Sequence, residues 1–222
     1  MEVAVVGAGI VGLTVAHRLV AEGHDVAVIA PSDEPHRAST GNAGTVATYA
    51  VDPVGTPDVL RDLPRLLFDR MSPLALHRPS ALSLVPWLLR FARRSLPRAA
   101  EASRRALAGI VLDADARWRD LASGVGASAL LNERGALYAY DSEAAARAGE
   151  VSMRRRRALG VVAEPVDARA LRVLEPGLPD GRFAGAILFP GAIWFSDPSA
   201  MLNQIAAATR AARIGARFVL RP

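Results

Sequence analysis

The chain opens on a short apolar, β-branched run, Glu2 to Val6, then a cluster of glycines, then apolar residues at helical spacing from Ile10 to Glu22. A run with so few polar positions predicts a strand buried on both faces of a parallel sheet, because half-solvated strands alternate instead. Gly23 stands where a helix needs a left-handed residue to close, and Asp25 to Ala30 supplies a second apolar run. Strand, helix and parallel strand make a compact βαβ unit.

Beyond it the pattern changes. Residues 31–44 are polar and small and predict a loop, the kind of segment on which function tends to sit. From Pro53 to Pro97 proline and arginine are dense, with apolar pieces at Leu63 to Phe68 and Leu82 to Ala92 that predict short helices. Leu107, Ile110, Val111, Ala114, Trp118 and Leu121 keep close to a 3.6-residue period and predict one long amphipathic helix over 98–123, ended by Gly124 and Gly126. Gly135 to Tyr140 and Phe183 to Phe189 read as strands, with a serine-capped helix from Ser142 to Leu159 between them. Asp197 as N-cap with a proline just inside starts a helix to Ala212, and Ala216 to Leu220 is a last strand. It stops at Arg221-Pro222, where an α/β chain ordinarily goes on, so the expected architecture is incomplete.

Composition narrows the function classes. With 222 residues and 51% hydrophobic content the chain can bury a substantial core. It has no cysteine, which excludes disulfides, thiolate metal sites and thiol nucleophiles together. All 27 basic residues are arginine, spread through an alanine-rich chain as GC-rich coding produces. The formal charge of +5 therefore does not imply a nucleic-acid partner, and no aromatic-interleaved basic motif is present. The apolar start lacks a basic n-region and is interrupted by glycines at 7, 9 and 12, unlike a signal peptide. The expected address is cytoplasmic, or peripheral to the inner face of the cytoplasmic membrane.

The chemistry lies in Gly7-Ala8-Gly9-Ile10-Val11-Gly12, which matches G-x-G-x-x-G directly between a strand and a helix, the context that gives the pattern meaning. Gly7 permits the tight turn, Gly9 lets the backbone approach a pyrophosphate, and Gly12 lets helix and strand pack closely. Amides at the start of the helix then favour the phosphates. The usual ribose-binding acid at the end of the second strand is replaced by Ala30. Asp33 and Glu34 in the following loop are the alternatives, and the first arginine available for a phosphorylated ribose is Arg37.

The next segment, Ala38-Ser39-Thr40-Gly41-Asn42-Ala43-Gly44, resembles the flavin-contacting segment of the FAD-dependent D-amino-acid oxidase superfamily, and especially that of the small subunit of bacterial D-amino-acid dehydrogenases. Further pieces look like family features in the same order: Pro73-Leu74, Pro86-Trp87-Leu88-Leu89-Arg90-Phe91, Gly135-Ala136-Leu137-Tyr138, Leu174-Glu175-Pro176 and Asp197-Pro198. The resemblance implies an α/β fold with a Rossmann-like FAD-binding βαβ core, incomplete here, and an inserted α+β substrate/cap region. Residues 1–50 would be the N-terminal part of the FAD-binding domain, 51–196 the substrate/cap region, and 197–222 the return to the FAD-binding domain. It implies FAD as cofactor, with Ser39 and Thr40 offering donors and Asn42, Ala43 and Gly44 passing close to the flavin ring. The substrate would be a small amine or (D-)amino acid giving its Cα hydride to the flavin, with oxygen or a quinone as electron acceptor, and water would release the oxo acid and ammonia.

Other readings stay open. A shortened, non-catalytic remnant would keep the βαβ start, and a nicotinamide enzyme could use the same glycine turn. The run Arg154-Arg155-Arg156-Arg157 reads as a solvated helix face. Leu82 to Arg94 reads as a proline-broken core or dimer-contact helix before a membrane-surface one. His17, His24, His36 and His77 have no metal-like spacing and read as surface or loop residues.

Overall fold

Strand β1 (Glu2–Val6) pairs in parallel with β2 (Asp25–Pro31) through helix α1 (Ile10–Ala21), the βαβ unit that the apolar runs dictate. Gly23, at φ +85°, closes α1, and the His24 amide turns back to the Leu19 carbonyl at 3.0 Å. The chain returns at its far end to the same sheet: β9 (Ala216–Arg221) lies parallel against β2, giving the order β1-β2-β9.

The computed structural model describes residues 1–31, 38–68, 81–179, 181–212 and 216–221. Two units emerge, one of residues 1–47, 114–137 and 188–222, the other of 48–113 and 138–187. In the first, β3 (Thr45–Val46), β8 (Ile193–Phe195) and β4 (Leu131–Asn132) form a small antiparallel sheet in the order β3-β8-β4. Helix α5 (Ala114–Gly124) and helix α8 (Pro198–Ala211) complete this unit. Asp197 caps α8 by accepting from the Ala200 amide at 2.9 Å. The core holds Leu13, Ala16 and Val20 of α1, Val26, Val28 and Ala30 of β2, and Met201, Leu202 and Ile205 of α8.

The second unit contains α2 (Pro57–Phe68), α3 (Ala81–Arg94), α4 (Pro97–Val111), α6 (Glu143–Arg157) and α7 (Ala168–Leu174). Its sheet, in the order β5-β7-β6, is made of β5 (Ala136–Tyr140), β7 (Gly185–Phe189) and β6 (Glu164–Asp167), with β5 and β7 each reaching a little way into the first unit's residues. Ser142 caps α6 as its sequence requires, accepting from the Ala145 amide at 3.3 Å.

Several expectations are corrected. The long helix over 98–123 is two helices, α4 and α5, separated at Leu112-Asp113. Ala100, Arg104 and Ala108 turn inward on α4, whereas Trp118, Leu121 and Ala122 belong to the other core, so one sequence period carries two separate faces. Among the described residues β1 has a strand on one side only and none of its residues is fully buried, so it is not a strand buried on both faces. Helix α3 runs unbroken through Pro86, and from Leu82 to Arg90 every residue but Leu84 is exposed, which removes the core reading. The run 154–157 divides: Arg154 and Arg155 are solvated, Arg156 is 12% exposed and bonded to Asp52, and Arg157 donates through Nε and Nη2 to the Ala163 carbonyl.

Candidate functional site

The glycine turn is shaped by close approach. Gly7 has φ +102°, a region that glycine enters without strain, and its amide donates to the Ile29 carbonyl at 2.8 Å, carrying the sheet pairing one residue past β1. A Cβ on Gly12 would collide with the Gly7 carbonyl, so helix and turn touch backbone to backbone. Ala8 is buried beneath the turn, Gly9 occupies the N-cap of α1, and Val11 faces solvent.

Ser39 closes the helix start. Its Oγ accepts from the Ile10 amide at 3.0 Å, so the first amide of α1 is taken by a side chain. The hydroxyl keeps its own proton to donate outward. The next two amides, of Val11 and Gly12, donate to no described residue. Asn42 locks the loop that carries Ser39: its Nδ2 donates to the Ala38 carbonyl at 3.0 Å and its Oδ1 accepts from the Gly44 amide at 2.8 Å. Both polar ends of Asn42 are thus used within the loop. Gly44, at φ +61°, sits where a Cβ would stand 2.9 Å from the Phe195 carbonyl, and its own carbonyl accepts from the Phe195 amide at 3.0 Å.

These pieces surround a cleft of about 390 Å³ lined by Ile10, Ser39, Asn42, Ala43 and Gly44 together with Thr45, Val46, Trp118, Phe195, Pro198, Met201 and Leu202. That size falls within the range of about 300–1,000 Å³ usual for small-molecule sites. Five sequence-predicted residues meet there. Gly7, Ala8, Gly9, Val11 and Gly12 form the turn behind it, and Thr40 lies half-buried in the loop and off the lining. The apolar wall was missed by sequence reading: Trp118 meets Phe195 edge to face at 4.9 Å, and both stand far along the chain from the motif. Asp197-Pro198 at the start of α8 was the one visible signal of that wall.

The residues fit the phosphate and ring portions of a dinucleotide. Two amides that donate to no described residue, and a hydroxyl, at a helix start suit an anion, and the aromatic and aliphatic wall suits a flat apolar ring. At the adenosine end the set departs from the usual one. Ala30 is 3% exposed and packed in the core, so the end of β2 presents no acid at that position. Asp33, Glu34 and Arg37 lie outside the described residues, as do His36, His77 and Pro73-Leu74. Among the described residues no cluster of His, Asp and Glu could hold a metal ion. His17 lies 3.4 Å from the Thr209 hydroxyl.

A second constellation stands inside the other unit. Asp52 receives Arg104 Nε on Oδ1 at 2.7 Å and Arg156 Nη2 on Oδ2 at 2.9 Å, and Arg104 also reaches Glu101 at 3.0 Å. Burial works against the charge of Arg104, but hydrogen bonds to Asp52 and Glu101 outweigh it and hold its pKa above the usual arginine value. Beside this cluster Tyr49 meets Tyr138 edge to face at 5.3 Å. Burial, then the neighbouring Tyr138, pushes the Tyr49 phenol up to about 12, and burial raises Tyr140 too. Both shifts favour the protonated phenol at ordinary pH.

A parallel βαβ sheet with a glycine turn, and a mostly apolar cleft at the helix start, are the features of a dinucleotide-binding type of α/β fold. The chain belongs to the DAO family of FAD dependent oxidoreductases, whose profile matches residues 2–222. It is 30% identical over 221 residues to a D-amino-acid oxidase of Bradyrhizobium diazoefficiens, an alignment covering 98% of this chain and 52% of that one. To D-amino acid dehydrogenase 2 of Ralstonia nicotianae it is 32% identical over 199 residues, 89% of this chain and 46% of that one. Among solved structures, glycine oxidase from Geobacillus kaustophilus superposes with a TM-score of 0.60 at 20% identity, over 98% of this chain and 46% of that one. The chain spans about half the length of these relatives.

Proposed function

We propose that this chain binds FAD at the α1 helix start and takes part in the oxidation of a small amine or (D-)amino acid. The observation that carries the reading is the meeting of Ile10, Ser39 and residues 42–44 on one cleft at the amide end of α1. The Val11 and Gly12 amides and the Ser39 hydroxyl would hold the diphosphate, and Gly9 would let it approach the backbone. Asn42 would set the loop that places Ala43 and Gly44 beside the ring. Val46, Trp118, Phe195, Met201 and Leu202 would exclude water from the ring's apolar side. When bound, FAD would supply the two-electron acceptor for a Cα–H bond. The relatives named for D-amino acids support that substrate class. Residues 1–50 and 197–222 are read as parts of an incomplete Rossmann-like FAD-binding domain and 51–196 as the substrate/cap region, with an electron acceptor still to be engaged.

FAD titration of the purified chain, run beside NAD and NADP, tests this. A bound-flavin absorption spectrum, a raised Tm with FAD alone, and anaerobic bleaching by a D-amino acid are expected. A colourless protein whose spectrum and Tm ignore FAD sinks the reading. Bound flavin that no amine bleaches supports instead a non-catalytic binding role.

A further inference from the structure

Helix α3 carries apolar side chains on two opposite faces. At about 100° per residue, Leu84 and Phe91 fall on one side with Ser95 just beyond the helix. Ser95 is fully buried, and its hydroxyl donates to the Phe91 carbonyl at 2.8 Å. The opposite side holds Leu82, Val85 and Leu89, with Leu82 88% and Leu89 67% exposed. Trp87 lies away from this side, about 160° round the helix from Leu89, 56% exposed and stacked on Phe91 at 5.3 Å. A helix at the surface of a globular protein turns that outer side polar.

The charges of the same helix all have one sign. No carboxylate occurs from Ala81 to Arg94, and the last turns hold Arg90, Arg93 and Arg94. With Ala99 of α4 these three arginines line a cleft of about 440 Å³. Among the described residues no carboxylate pairs with Arg90, Arg93, Arg94 or Arg98.

We propose that α3 is a membrane-surface helix, lying in the plane of an anionic bilayer with Leu82, Val85 and Leu89 in the acyl boundary, Arg90 and Arg93 at the border of that stripe on lipid phosphates, and Arg94 adding charge at the same end. An exposed apolar stripe bordered by guanidinium groups is the arrangement such a boundary accepts. Its length, about 21 Å at 1.5 Å per residue, suits lying on a bilayer, and among the described residues no helix is long and apolar enough to cross one. A second copy packed through this face with its α3 parallel is disfavoured by charge, since the arginine clusters would meet. The proposal is independent of the flavin reading and is tested without flavin.

The full chain is sedimented with vesicles of phosphatidylglycerol and phosphatidylcholine and with vesicles of phosphatidylcholine alone. Binding to the anionic vesicles is expected to be tighter by roughly tenfold or more and to weaken with salt. The double variant Leu82→Glu, Leu89→Glu and the triple variant Arg90→Gln, Arg93→Gln, Arg94→Gln should each lower that affinity about tenfold or more. Their circular-dichroism melts should match the parent's, because the altered side chains are exposed. Three results overturn the proposal: equal binding to both vesicle types, binding that survives both variants, or full competition by inorganic phosphate at matched phosphate concentration, which would make the cleft a free-phosphate site. A dimer that the Leu82→Glu, Leu89→Glu variant dissociates, with no vesicle binding by the parent, would assign the face to a second copy and equally overturn it.

Discussion

At Gly12 two residue-scale effects oppose each other. Alanine is the better helix former by about 1 kcal/mol, yet its Cβ would meet the Gly7 carbonyl, with the Gly7 carbon at 3.0 Å and Val5 Cγ1 at 3.6 Å. Backbone cannot give way as a flexible side chain can, and overpacking of this kind costs about 1–3 kcal/mol. Gly12→Ala should therefore lower Tm by several degrees, on the order of 2–4 °C per kcal/mol for a chain of this size, and weaken FAD. Gly109→Ala is the control: α4 leaves open space there, so propensity alone acts and Tm should rise slightly. If Gly12→Ala melts no lower than the parent, the backbone contact does not hold the turn. This part of the site was legible because glycine spacing encodes backbone contact directly. The side-chain roles were less so: Ser39 was expected as a cofactor donor and is also the partner of the Ile10 amide, and Asn42 is occupied with its own loop.

Among the elements, α1, β2, α6 and α8 were legible because each carries its own start and stop signals: a glycine turn, Gly23, the Ser142 cap and the Asp197 cap. Strands β3, β4 and β8 were not, since two or three residues cannot display a period of two. The pairing of Asp52 with Arg104 and Arg156 was equally hidden, because nothing local marks partners so far apart in sequence. That cluster ties the loop at 52 to α4 and α6, with the two guanidiniums only 10% and 12% exposed. Removing one member of a buried ion pair costs about 3–5 kcal/mol, because the remaining charges lose their partner. Asp52 is itself 28% exposed, so the lower part of that range applies. Asp52→Ala should lower the free energy of unfolding in urea by about 3 kcal/mol, whereas Asp58→Ala, which removes exposed pairs, should change it by less than about 1 kcal/mol. Equal effects from the two would mean that the cluster is solvated and contributes little.

For the whole molecule, the unanswered demand is the edge of the sheet. The apolar sequence of β1 is that of a strand expecting neighbours on both sides, and among the described residues it has only β2. Val6 is 82% exposed, and Val11 and Val15 on α1 are exposed too. A free strand edge offers unpaired amides and carbonyls to any other strand, and proteins blunt such edges with charge, lysine above all. Glu2, at the start of β1, is its only charged residue. The chain should therefore associate as concentration rises, in sedimentation velocity or light scattering. Val6→Lys should suppress that association while leaving the melt within about 0.5 kcal/mol of the parent, since little contact is lost at so exposed a position. Leu89→Glu separates this edge from α3. Association that survives Val6→Lys but disappears in Leu89→Glu does not arise at β1, and the sheet edge is then covered by something other than a second copy of itself.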